Sequence, residues 1–328
     1  MKKLINDAEN LTKELLEGMC MAYPNKVKLK QKKLVCRANP KPESKVALVS
    51  LGGTGHEPAV QGFVGDGMLD VCVAGDIWAA PGPPTLFEGI KAVKRDAGIL
   101  LITLNHAGDV MSANMAKQMA EMEDIKLVEI LTKEEIRPTE EEEGRGLGGC
   151  FFVSKIAGAA ADAGKDLDEV VRIANKTADN MATIAVLTEL ATHPQTGGIC
   201  GTLDDDKMEI CAGQHGEGGG TVVPFSSAKE TAELLAGKII DKLGLADGDE
   251  VCLIVNGSGK TTLMEQYIAF RDAKIFFEGK GIKVSRGHAV EVLTVQEAGG
   301  YQLMALKLDD ELKALWDAPC DTPSYTVR

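Results

Sequence analysis

Lys45-Val46-Ala47-Leu48-Val49-Ser50-Leu51-Gly52-Gly53-Thr54-Gly55-His56-Glu57-Pro58 is the stretch on which the reading of this chain turns. Val46 to Ser50 reads as a short buried strand, and glycines at 52, 53 and 55 follow it at once. A residue without Cβ lets the backbone turn sharply and come close to a ligand. His56 then either stands at the rim of a cleft or closes the glycine turn as a structural histidine. The segment alone leaves both open.

Outward from that strand the pattern alternates. Strands are expected at Leu69–Ala74, Gly98–Leu104 and Lys126–Ile130, with a helix near Thr85–Asp96 and another from Asp109. Short Val/Ile/Leu runs interleaved with amphipathic segments predict an α/β chain with a parallel sheet, whose ligands gather beyond the carboxyl ends of the strands. Two loops leave those ends. One carries His56; the other, Leu104-Asn105-His106-Ala107-Gly108-Asp109, brings an acid to the start of the next helix, where it is a candidate proton acceptor or simply an N-cap.

Helices follow at about Leu147–Gly164 and Leu167–Asn180, and a strand at Thr183–Leu190 opens a second set of elements. Two domains are therefore expected, 1–180 and 181–328, in line with roughly 150 residues per domain. The acidic run Glu140–Glu143, between Pro138 and Gly144, reads as a solvated loop. In the second part a strand at Met208–Gly213 leads into Gln214-His215-Gly216-Glu217-Gly218-Gly219-Gly220, another glycine-rich loop that presents a histidine. A strand at Val251–Asn256 runs into Gly257-Ser258-Gly259-Lys260-Thr261-Thr262, which approaches a nucleotide P-loop. The first glycine of that motif is replaced by Ile254 inside the strand, so an ordinary strand-to-helix turn is expected. His193 and His288 read as surface or packing residues.

The chain has 328 residues and a formal net charge of −13, which argues against non-specific attraction to nucleic acid or anionic lipid. Met1-Lys2-Lys3-Leu4-Ile5-Asn6-Asp7 meets polar residues too early for a signal peptide, and no apolar run approaches the ~18 residues of a membrane span; a cytoplasmic protein is expected. The eight cysteines form no Cys-x-x-Cys pair, so a metal site and a disulfide frame are both disfavoured.

Taken in chain order, Met1–Asp7, Lys45–Pro58, Gly62-Phe63-Val64-Gly65, Gly67-Met68-Leu69, Gly108-Asp109, Arg145-Gly146, Lys155-Ile156-Ala157-Gly158-Ala159-Ala160-Ala161, Gly213–Glu217 and Leu315-Trp316-Asp317-Ala318-Pro319 resemble the substrate-binding K subunit of dihydroxyacetone kinase. The resemblance spans the chain. It implies a two-domain α/β fold, each domain a sheet with packed helices, usually as a homodimer, and a phosphotransferase subunit that binds a short ketose in glycerol metabolism. This chain would hold no cofactor and no metal. A separate nucleotide-binding L subunit would carry ADP or ATP with Mg and supply the phosphoryl group, from bound ATP or from ADP recharged by a phosphotransferase-system protein.

By the same resemblance the covalent histidine falls on His215, the acid on Asp109 and the glycine-loop histidine on His56. An imidazole nitrogen can add to a ketone carbon to give a hemiaminal, and a ring pKa of about 6.5 leaves it mostly neutral near pH 7. Three departures touch the ketose-binding wall, formed by Gly52, Gly53, Thr54, Leu104 and His106. Leu51-Gly52-Gly53 stands where the family has three glycines, Leu104 and His106 replace a usual Lys and Tyr, and Gly216-Glu217-Gly218-Gly219 lacks the usual proline. A tetrulose such as erythrulose is therefore an expected substrate beside dihydroxyacetone. The competing expectation is a non-catalytic ketose-binding coactivator of a transcription regulator; retention of His56, Asp109 and His215 together favours the enzyme.

Overall fold

The computed structural model describes residues 2–139, 141–213 and 220–328. The chain packs as two compact units. The first comprises Lys3–Thr132, Cys150–Ala178 and Glu311–Arg328; the second comprises Lys133–Gly149 and Asp179–Asp310. The expected division at 180 falls beside one of these crossings, but each unit is discontinuous in sequence.

The first unit contains α1 (Leu11–Ala22), β1 (Val27–Lys30), β2 (Leu34–Arg37), β3 (Ala47–Thr54), β4 (Val71–Ile77), α2 (Pro83–Lys91), β5 (Ile99–Leu104), α3 (Ala107–Met122), β6 (Leu127–Thr132), α4 (Cys150–Asp162) and α5 (Leu167–Asp179). Its six strands lie in the order β1-β2-β4-β3-β5-β6. β4, β3, β5 and β6 run parallel, and the hairpin β1–β2 adds an antiparallel edge. β3 is central and buried nearly throughout, which is why it reads as an unbroken apolar run rather than an alternating one. Val49, Leu51, Val71, Val73 and Leu101 pack under Leu86, Phe87 and Ile90 of α2 and Ala113, Ala116 and Ala120 of α3. The alanines of α3 let that helix lie close to the sheet.

This strand order fixes where a ligand can sit. The chain leaves β3 toward β4 on one side, while it leaves the adjacent β5 toward β6 on the other. The two connections diverge beyond the carboxyl ends of β3 and β5, the place where open α/β sheets bind ligands.

The second unit contains β7 (Met181–Glu189), β8 (Lys207–Ile210), β9 (Thr221–Pro224), α6 (Ala228–Leu243), β10 (Glu250–Gly257), α7 (Leu263–Gly279), β11 (Lys283–Val290) and β12 (Gly299–Leu308). Its sheet, in the order β11-β10-β12-β7-β8-β9, is antiparallel except for β10–β11, so the parallel arrangement expected from alternation holds chiefly in the first unit. Leu235, Ala236 and Ile239 of α6 and Ala269, Ala273 and Phe277 of α7 pack on Ile184, Leu253, Val255 and Leu303. Both helices begin with capping boxes, Ser227 with Glu230 and Thr262 with Glu265.

The helix expected from Leu147 starts only at Cys150. Glu134 Oε1 accepts the backbone N–H groups of Leu147 and Gly149, both at 2.8 Å, and holds that segment out of the helix. At the other end of the chain, α8 (Asp310–Asp317) and the hairpin β13 (Cys320–Asp321) with β14 (Thr326–Val327) return to the first unit. Trp316 there is buried against Phe151 and Phe152 of α4 and Tyr325, and Lys155 donates to the carbonyl of Leu315 at 2.8 Å. A run that looks like a tail in sequence is thus part of the core.

Candidate functional site

β3 delivers the glycine loop. Thr54, its last residue, is fully buried: its hydroxyl shares a hydrogen bond with Thr12 Oγ1 at 3.0 Å and lies 3.3 Å from the carbonyl of Gly75. Its own carbonyl accepts the N–H of Trp78 at 2.8 Å. The glycines before it are required by the protein's own packing. A Cβ on Gly53 would lie 2.7 Å from the backbone nitrogen of Ala79, and one on Gly52 would lie 3.3 Å from Val60 Cγ2. Gly55 sits at φ +98°, a conformation that side chains resist. The open side anticipated for a ligand at Gly53 is therefore occupied by the turn that follows β4.

His56 is buried, with 3% of its surface exposed. Its ring stacks on the indole of Trp78, with centroids 6.4 Å apart and planes inclined by 20°. Glu57 Oε1 accepts from Gly55 N and Gln61 Nε2, both at 2.9 Å, and burial pushes its carboxyl above the usual range.

β5 delivers the second loop. Leu104 is buried at the end of the strand, Asn105 N donates to Thr132 O at 2.9 Å, and His106 N donates to Leu104 O at 2.7 Å. The sharp bend makes His106 the N-cap of α3; its side chain makes no capping hydrogen bond and it is half-buried. Asp109 is therefore not the cap. It lies in the first turn of α3, 7% exposed, and its Oδ1 has no hydrogen-bond partner among the described residues. Burial pushes its carboxyl up to about 7. A carboxyl in that state exchanges a proton readily with an alcohol or phosphate near neutral pH.

His56 thus follows the end of β3, and Asp109 lies in the first turn of the helix that follows the adjacent strand β5; Gly52, Gly53 and Thr54 belong to β3 itself, Leu104 ends β5, and His106 caps α3. His215 lies outside the described residues. Trp78 and Glu57 escaped the sequence reading. The available signal for Trp78 was its rarity, one of two tryptophans, directly after a strand and just before Pro81.

The P-loop-like segment is an ordinary turn. Thr262 caps α7 and Thr261 Oγ1 bonds the backbone of Gly300, while Lys260 pairs with Glu189. Among the described residues no group of three or more His, Cys, Asp or Glu could hold a metal ion, and no helix is long and apolar enough to cross a membrane.

Residues 17–324 match the Dak1 domain. This chain belongs to the Dak1 family. Over 95% of both chains it is 37% identical to the dihydroxyacetone-binding subunit of PTS-dependent dihydroxyacetone kinase 1 of Listeria innocua. Its fold matches the dihydroxyacetone kinase operon co-activator Dha-DhaQ with a TM-score of 0.89 and 27% identity, covering 94% of this chain and 96% of that one. It also matches the dihydroxyacetone kinase of C. freundii with a TM-score of 0.90 and 25% identity, covering 99% of this chain and 60% of that one. A kinase and a co-activator thus share this fold.

Proposed function

We propose that this chain is the ketose-binding subunit of a dihydroxyacetone-type kinase. The observation that carries this reading is Asp109: a buried carboxyl without a partner for Oδ1, pushed up to about 7, one strand away from His56 at the divergence of β3 and β5. A ligand-binding module needs no such acid. A kinase subunit does, because the substrate hydroxyl must lose its proton as it attacks phosphorus.

In this reading a ring nitrogen of His215 adds to the ketose carbonyl carbon. The carbon–oxygen π pair moves to oxygen, which takes up a proton, and the ring nitrogen gives one up, leaving a neutral hemiaminal. His56 donates a hydrogen bond to that oxygen. The substrate's primary hydroxyl attacks the phosphoryl group and Asp109 accepts its proton. The donor nucleotide and Mg reside on a separate L subunit, and this chain supplies orientation, worth up to roughly 7–11 kcal/mol when a nucleophile is held in line. A carbonyl is required for capture, so ketoses are taken and polyols such as glycerol are refused. The protein works in the cytoplasm, as a homodimer.

A second reading has its own support in the co-activator of the same fold: capture of a ketose without transfer, relayed to a transcription regulator. One experiment separates the two. The chain is mixed with nucleotide-binding L subunits and a panel of C3 and C4 ketoses, and sugar phosphate is measured alongside the intact mass of the chain. Phosphorylation abolished in Asp109→Asn, with the ketose adduct retained there and lost in His215→Ala, supports the kinase. An adduct with no phosphate formed from any ketose supports the co-activator.

A further inference from the structure

We infer that Trp78 is a positioning residue for His56: its indole is locked by the backbone so that one face fixes the plane of the imidazole. The consequence for ketose binding rests on the function proposed above; the positioning itself does not.

Trp78 has φ +56°, a left-handed conformation that a bulky side chain adopts only when its surroundings impose it. The cause is on both sides of the residue. Trp78 N donates to Thr54 O at 2.8 Å, tying the end of β4 to the end of β3, and Ala79 N closes the turn onto Asp76 O at 3.0 Å. The backbone of Ala79 fills the space in which Gly53 and Gly75 would carry side chains. Two glycines on two strands are thereby committed to seating this turn. The indole is held as well, its Nε1 donating to Gly55 O at 3.4 Å, one residue before His56.

Filling the core does not explain this arrangement. The chain's other tryptophan, Trp316, is 2% exposed among aromatic rings, whereas Trp78 is only half-buried and lies in an offset, near-parallel stack on His56. A stacked ring restricts rotation of the imidazole about its own side-chain bonds, so the donor nitrogen keeps one direction before the ligand arrives. Phe can supply a similar face; Ala cannot.

Two measurements test this. In the ligand-free chain, labelled at its five histidines, the ring C–H resonances of His56 are assigned through His56→Gln. They are expected to carry an aromatic ring-current shift, to move and broaden in Trp78→Ala, and to stay close to the parent in Trp78→Phe. Unmoved resonances in Trp78→Ala overturn the inference. Should Trp78→Ala fail to fold, a Trp78→Phe spectrum in which the His56 shift is unrelated to the aromatic ring overturns it equally. Calorimetry with dihydroxyacetone and erythrulose is expected to show binding about tenfold weaker in Trp78→Ala, the scale of one aromatic stacking pair, with recovery in Trp78→Phe. Ketose-induced change in tryptophan emission should vanish in Trp78→Phe although Trp316 remains; a change that persists there overturns the inference. A parent chain that takes up no ketose yet shows the His56 shift counts against the proposed function alone.

Discussion

Asp109 stands three residues after the helix cap His106, the position from which an acid commonly reaches back to the cap's N–H. Here His106 N donates to Leu104 O instead, and Asp109 Oδ1 is left buried without a partner among the described residues. The local rule for helix starts is set aside here, and one oxygen of a buried carboxyl is left unengaged.

The pH behaviour follows. The folded carboxyl of Asp109 is raised to about 7 by burial, so the folded state favours the protonated form. Its contribution to stability is fully present below the unfolded value near 4 and is lost as pH rises through 7. Asp109→Asn should therefore be more stable than the parent at pH 8, by up to a few kcal/mol at about 1.4 kcal/mol per pKa unit, and the difference should close toward pH 4. Thermal melts across that range check it. In the parent, phosphoryl transfer with an L subunit should decline as pH drops below about 7, because the acceptor must be ionised.

Gly53→Ala should disrupt the site from within. Its Cβ would lie 2.7 Å from the backbone nitrogen of Ala79, which cannot yield without moving the turn that carries Trp78. Gly52→Ala meets only the side-chain methyl of Val60 at 3.3 Å and should be milder. Ketose titrations and thermal melts on both variants should rank Gly53→Ala as the more damaging in each, with a stability loss of about 1–3 kcal/mol from overpacking.

Beneath the first sheet, Lys41 is almost wholly buried and lies 3.1 Å from both Asp70 and Asp162, with Arg37 reaching Asp70 at 3.4 Å and Asp162 at 3.5 Å. Asp70 also accepts Leu48 N of β3 at 2.8 Å. Asp70→Ala leaves Lys41 and Arg37 paired with Asp162 but orphans the buried Leu48 N and removes the most buried of the anions, so it should cost about 1–3 kcal/mol in denaturant titrations. For Asp162, burial alone would raise the carboxyl, but Lys41 and Arg37 more than offset it and hold it below the usual range. That stabilisation is present above the unfolded value near 4 and is lost as pH falls through the lower folded value. Acid titration of the parent and of Asp162→Asn should differ in that window.

Lys260 sits where a phosphate loop would place its lysine, yet it forms an exposed ion pair with Glu189. Lys260→Ala should leave phosphoryl transfer by the assembled kinase unchanged and alter stability by at most about 1 kcal/mol. A loss of phosphoryl transfer or of nucleotide binding in that variant would revive the P-loop reading.

Much of the first unit was legible because its central strands β3, β4 and β5 are buried nearly throughout. Gly98–Leu104 and Lys126–Ile130 fall within a residue or two of β5 and β6, whereas Val46–Ser50 finds the start of β3 but ends four residues early, because the strand continues through Gly52 and Gly53 to Thr54. Asp109 was legible as a candidate, although its alternative role as a cap went to His106, which residue type alone would not select. Trp78 was not legible: its importance lies in a turn from β4 landing on glycines of β3, a contact between segments more than twenty residues apart. The antiparallel order of the second sheet was equally hidden, since alternation of elements does not specify which strands pair.

By itself the amino-acid sequence determined the element types, the glycine loop and the chemical groups, because hydrophobic period, missing side chains and ionisable residues are local properties. The tertiary structure alone decided that Gly53 makes room for Ala79, that Asp109 loses its hydration and titrates near 7, and that the Trp316 segment returns to the first core. Each of these depends on which distant segments exclude water from the same volume, and that is settled only when the whole chain packs.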